Sequence, residues 1–185
     1  MASQTDTNLM EDVRDGDTGK LALLFERHHV ALYNYFVRLS GKRELSEDMV
    51  QEVFFRILKY KHTYRGDGDF LPWMYHIARN VQIDYGKRWS RENPHDDDTH
   101  DQPDDKPMAY ETMERTQDIA LLQAALAQLP AEKREVLILS RFQELNYKTI
   151  AEFLGCSVEA VKVRVHRAMN DLRKEYRQLV GEGRV

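Results

Sequence analysis

Apolar residues recur along this chain at the three-and-four spacing of helices, broken at intervals by glycine, proline and small polar residues. The pattern is sharpest near the C-terminus. Stepping about 100° per residue from Val158 places Val158, Val161, Val165, Ala168, Met169, Leu172, Tyr176 and Leu179 on one narrow stripe, the side a helix buries. Opposite lie Lys162, Val163, Arg164, His166, Arg167, Asn170, Arg173 and Lys174. Ser157 is placed to cap this helix, Gly155-Cys156 reads as a tight turn, and Tyr147–Leu154 as a short preceding helix. Together these predict a helix-turn-helix, which lays its second helix in the DNA major groove. The basic face suits phosphates, and Val163 within it suits a thymine methyl.

The same spacing predicts further helices. One runs from a cap at Asp17 or Thr18 to about Ser40, with Leu21, Leu24, Phe25, Leu32, Phe36 and Leu39 inward, behind a frayed tail of about eight residues. A second, capped by Ser46, turns Met49, Val50, Val53, Phe54, Ile57 and Tyr60 to the core. Its opposite side carries Asp48, Gln51, Glu52 and Phe55, where an exposed aromatic among polar residues describes either a partner surface or a second packing neighbour. After the glycine-rich loop 64–69, Asp69 caps a third helix with Phe70, Met74, Ile77, Ala78, Val81 and Tyr85 inward. Trp73, Tyr75, His76, Arg79, Asn80, Ile83, Lys87 and Arg88 do not fit that stripe. They read either as bundle core and rim or as the aromatic and cationic equipment of a single-strand binder. Helix returns from about Met108, with Ile119, Leu122, Leu126 and Leu129 at core spacing, and Pro130 opens another over residues 131–145. The expected fold is all-α: two small helical domains, 9–91 and 113–180, joined by an acidic flexible linker, with the C-terminal domain a helix-turn-helix.

Composition refines this picture at three points. The net charge of −4 argues against a uniformly basic binder, but residues 92–105 hold seven acids and no lysine or arginine, and without them the chain stands at +3. With three prolines and six aspartates, residues 92–107 have too little apolar surface for a core, so 92–112 is expected to be a self-repelling linker that holds its neighbours apart. The single Cys156 excludes an intramolecular disulfide and fits a reducing cytoplasm, and no apolar run approaches the length of a membrane span. His28-His29 lacks partners at ligand spacing, so no metal, cofactor or catalytic residue is expected.

The motifs DMVQEVFFRI, YRGDGDFLPWMYHIARNVQIDYGKR and LPAEKREVLILSRF…NYKTIAEFLGCSVEAVKVRVHRAMNDLRK, in that order, resemble a bacterial RNA polymerase sigma factor of the extracytoplasmic-function (ECF, group IV) type. The resemblance covers about residues 15–91 and 116–177. It implies a promoter-specificity subunit without enzymatic activity, partnered by core polymerase and promoter DNA, in a family that often pairs with an anti-sigma factor. Asp48, Gln51, Glu52 and Phe55 would meet the clamp helices of the largest subunit. Tyr64, Arg65, Phe70, Trp73, Arg79, Asn80 and Asp84 would open and capture the −10 element. Ser157, Glu159, Ala160, Lys162, Val163, Arg164 and Arg167 would read the −35 element, and the helices around 136–142 would pack on the flap of the second-largest subunit. The linker would occupy the active-site and RNA-exit path.

Two other readings stay open at this point. A stand-alone helix-turn-helix regulator would need no polymerase, so the 48–55 face would be dispensable. A nucleic-acid enzyme built on the helix around residues 79–88 would need clustered acids for metal, and the acid cluster lies in the proline-rich linker.

Overall fold

The computed structural model describes residues 4–92 and 110–182, and among these every regular element is helical. The acidic linker expected at 92–112 therefore lies almost wholly outside the described residues. The N-terminal unit consists of α1 (Asp6–Asp15), α2 (Leu21–Ser40), α3 (Arg43–Lys59) and α4 (Phe70–Glu92). The C-terminal unit consists of α5 (Tyr110–Gln128), α6 (Ala131–Leu137), α7 (Tyr147–Leu154) and α8 (Val158–Glu182). In the first unit α3 packs against both α2 and α4; in the second, α8 packs against α5, α6 and α7.

Three local expectations need correction. The chain from Asp6 is not a frayed tail: Thr5 accepts from the Asn8 amide and starts α1, whose Leu9, Met10 and Val13 are fully buried. Burying an apolar side chain of this size is worth roughly 1.5–3 kcal/mol, enough to hold a helix of weak intrinsic propensity. Ser46 caps nothing. α3 begins three residues earlier, and the Ser46 hydroxyl is buried and donates to the Lys42 carbonyl at 2.6 Å, satisfying itself inside the helix. Asp17 likewise makes no side-chain cap; a 3-10 turn at Thr18–Lys20 leads into α2.

Residues 131–145 are not one continuous helix. α6 passes at Ile138 into a π-helical turn, Ile138–Phe142, closed by Gln143 N–H donating to Ile138 C=O at 2.9 Å. The turn keeps Val136, Leu137, Ile138 and Leu139 all buried. These four apolar side chains are thus spent on the chain's own core. The open apolar surface of this unit lies elsewhere, in a shallow groove between α5 and α8 lined by Ile119, Leu122, Met169, Leu172 and Tyr176.

The two units pack on each other. α4 contacts α7, and α2 contacts both α6 and the π-helical turn. Their buried apolar residues form one continuous cluster. Among the described residues, nothing holds the flanking units apart as the composition of the linker led one to expect.

Candidate nucleic-acid interface

The C-terminal reader is built from local rules. Asn146 accepts from the Thr149 amide at 2.9 Å and starts α7. Gly155 then turns the chain in the left-handed region (φ 60°, ψ 40°), which favours a residue without a Cβ. Ser157 Oγ accepts from the Ala160 amide at 3.1 Å and starts α8. On α8 Val161, Val165, Ala168 and Leu172 are buried, while Lys162, Val163, Arg164, His166 and Arg167 are exposed. Val163 is 48% exposed, an apolar side chain facing solvent among cations. Glu159 is exposed and Ala160 half-buried beside them.

On the N-terminal unit, Asp48, Gln51, Glu52 and Phe55 converge on one shallow pocket, joined by Tyr85 of α4, which the stripe on α3 could not reveal. Phe55 is 58% exposed, with no packing neighbour among the described residues covering it. Glu52 accepts from Arg56 Nε at 2.6 Å, and Arg56 Nη1 also reaches Asp84 at 2.8 Å. Asp84 is thereby drawn beside the α3 face and stands apart from the other −10 candidates. Burial, then the charges of Glu52 and Asp48, raise the Tyr85 phenol above its ordinary pKa, so the pocket is acidic and keeps its hydroxyl protonated.

The remaining −10 candidates divide by burial. Tyr64 and Phe70 are almost fully buried and form an aromatic cluster with Trp73, the Tyr64 and Trp73 rings lying 5.1 Å apart edge to face. Arg65 and Asn80 are exposed, and so are Asp67, Gly68 and Asp69 of the loop. Tyr64 and Phe70 therefore support the loop from beneath and do not face a strand directly. Nearby, His28 meets Asp6 at 2.7 Å and His29 stacks on Phe25.

Arg79 points across the unit boundary. Its Nε donates to Glu135 Oε1 at 3.0 Å and its Nη2 to Glu135 Oε2, while the Tyr35 hydroxyl donates to the same carboxylate at 2.7 Å. The Arg79 guanidinium also lies 4.2 Å from the centre of the Phe153 ring, where His76 and Tyr75 also pack. Burial pushes the Tyr35 phenol well up, helped by the Glu135 charge, so it stays a donor at any physiological pH. Burial, then Arg79, lowers the pKa of His76. Tyr75, His76 and Arg79, three of the residues that fitted no stripe on α4, thus have a second packing surface, supplied by α6 and α7. A cleft of about 630 Å³ along this boundary is lined by Arg79 from one unit and by Arg164 and Arg167 from the other.

Comparison with known proteins follows the same division. Residues 24–92 match the model for Sigma-70 region 2, and residues 119–172 the model for Sigma-70, region 4. The chain is 29% identical over 170 residues to the RNA polymerase sigma factor YlaC of Bacillus subtilis, covering 88% of this chain and 95% of that protein. It is 30% identical over 157 residues to the ECF RNA polymerase sigma factor SigX of Bacillus subtilis, covering 82% and 81%. Its fold resembles that of the sigma factor RpoE in complex with the anti-sigma factor NepR from Bartonella quintana, with a TM-score of 0.67 and 24% identity over 84% of this chain and 96% of that one.

Proposed function

The chain belongs to the ECF RNA polymerase sigma factors and so serves promoter-specific initiation with RNA polymerase; from that premise we infer how its residues divide the work. The observation that carries this reading is the exposed pair of surfaces on separate units: the acidic, aromatic face at Asp48, Gln51, Glu52, Phe55 and Tyr85, and the basic face of α8 around Val163. The N-terminal domain, about 9–91 and extended back to Asp6 by α1, meets the polymerase clamp helices through the first face. Its loop 64–69 captures an unstacked non-template base of the −10 element, with Arg65 and Asn80 in contact, Trp73 alongside, and Tyr64 and Phe70 beneath. The C-terminal domain, about 113–180, reads the −35 element with Ser157, Glu159, Ala160, Lys162, Val163, Arg164 and Arg167. Asp84 acts through Arg56 on the clamp face. The protein supplies specificity and leaves catalysis to the polymerase, inside the cell where the polymerase works.

The packed arrangement cannot serve both grips at once. Elements about 25 base pairs apart lie roughly 80 Å apart along the duplex at ~3.4 Å per step. A compact chain of this length has a radius of gyration of about 16 Å. Arg79 and Arg164 share one cleft here, so promoter binding requires the units to part. The packed form is the resting state, and an anti-sigma factor that held the units together would keep the factor silent; the structurally similar RpoE from Bartonella quintana is in complex with the anti-sigma factor NepR.

The test is run-off transcription with purified core polymerase and a genomic promoter library. The protein should yield discrete initiation sites absent with core alone; none from any promoter would overturn the reading. In the same assay Arg164→Ala and Arg167→Ala should weaken upstream-element use. A lost base contact costs about 1–3 kcal/mol for particular sequences, whereas a lost phosphate contact chiefly flattens the salt dependence. Unchanged affinity and salt slope in both variants would contradict the assigned face of α8.

A further inference from the structure

We propose that α1 is a brace for the loop 64–69, and that Arg14 is its positioning residue, setting the geometry in which the loop takes up a single base. This rests on the capture of a −10 base by that loop.

The brace has a fixed body. α1 buries Leu9, Met10 and Val13 against the rest of the N-terminal unit, and its first residue, Asp6, is held to α2 by Arg27 at 2.6 Å and His28 at 2.7 Å. From its C-terminal half four contacts run to the chain just before and within the loop. Arg14 Nη1 lies 3.4 Å from both the Tyr64 and the Arg65 carbonyl oxygens. Its guanidinium is set for this by Asp15, which accepts from Nε at 2.8 Å and from Nη2 at 3.2 Å. In the opposite direction Lys61 Nζ donates to the Val13 carbonyl at 3.0 Å. Glu11 packs against Gly66, which sits at φ +77°, and any Cβ at that position would collide with the Glu11 carboxylate.

These contacts hold one side of the loop and leave the other open. Tyr64, with Arg14 on its carbonyl, sends its hydroxyl back to the Gly68 carbonyl at 3.2 Å, so both limbs of the loop are tied to the braced residue. Arg65, Asp67, Gly68 and Asp69 remain exposed at the mouth. A polar loop of this length, free of such ties, would have to lose its conformational freedom when a base arrives; a braced loop has lost it already. Arg14 itself lies behind the loop, on backbone carbonyls, and touches no strand. Its effect is therefore on the affinity for a base and not on the affinity for the phosphate backbone.

The experiment measures binding of single-stranded non-template −10 oligonucleotides to assembled holoenzyme, each oligonucleotide carrying an abasic site at one position. With the natural factor, one position should stand out as the costly one to lose. Arg14→Ala should then bind the intact strand about tenfold more weakly, the scale of a lost charge-assisted hydrogen bond, while binding the strand abasic at that position as the natural factor does. Arg14→Lys, which keeps a cationic donor but not the planar fork that Asp15 orients, should recover part of the loss, and Gly66→Ala should reproduce the selective defect from the loop side. Equal weakening on intact and abasic strands, or no weakening, would overturn the brace while leaving base capture in place. If no abasic position matters to the natural factor, base capture itself fails, and the brace with it.

Discussion

Replacing Glu135 by alanine should destabilise the packed form of this protein by about 3–5 kcal/mol, the scale seen when one partner of a buried ion pair is removed. The carboxylate is 8% exposed and is the common acceptor for the Tyr35 hydroxyl and the Arg79 guanidinium. Without it a half-buried cation loses its charge partner and the fully buried Tyr35 phenol loses its acceptor, with no route to water while the units stay packed. Glu135→Gln should cost less, because it keeps an acceptor for Tyr35 and gives up the charge. Denaturant unfolding checks the magnitude. Core polymerase binding should move the opposite way or stay level, since a form that is already open owes less conformational work on binding. A Glu135→Ala protein as stable as the natural one, to within about 0.5 kcal/mol, would show that the carboxylate does not hold the units.

The second large effect is expected at the polymerase face. Phe55→Ala should weaken the complex with core polymerase by about 2 kcal/mol or more, roughly 30-fold in Kd, as the loss of an aromatic anchor does. At 58% exposure Phe55 contributes little to the fold, so unfolding should change by no more than about 0.5 kcal/mol. Asp48→Ala, at the rim of the same pocket, should act chiefly through the association rate and its salt dependence. With both substitutions, factor-dependent initiation should vanish while duplex binding by α8 persists. A doubly substituted protein that still initiates would place the polymerase contact elsewhere, and regulation that survives intact would favour a stand-alone regulator.

What was legible in the sequence was local. Ser157, Gly155 and the 3.6-residue period of α8 act within a few residues of themselves, and Lys162, Val163, Arg164 and Arg167 stand exposed where the period put them. α1 carried a local signal too, in the Thr5 cap and the Leu9, Met10, Val13 spacing, but its polar composition masked it. The boundary between the units was not legible. Tyr75, His76 and Arg79 departed from the α4 stripe because Phe153 and Glu135, more than fifty residues away, supply their second surface. Periodicity reports that a residue has a neighbour and is silent on which one. Glu135 offered a hint, as an acid directly before the apolar run Val136–Leu139, but its partners could be found only in three dimensions. Phe70 stood on the inward stripe of α4 and is buried as its spacing predicted, whereas the burial of Tyr64, outside any periodic element, was hidden, since what covers it includes α1.

The claim that joins these features is that the packed form opens when the factor takes up its work. The direct measurement is a distance between labels on Glu47→Cys of α3 and Lys174→Cys of α8, both exposed positions, in a Cys156→Ser background. It is read by resonance energy transfer in the free protein and again in holoenzyme on promoter DNA. The free protein should show one compact distance. Bound to polymerase and promoter the labels should separate by tens of ångströms, toward the roughly 80 Å that the two promoter elements demand at ~3.4 Å per base pair. An unchanged distance in an actively initiating complex would contradict the account.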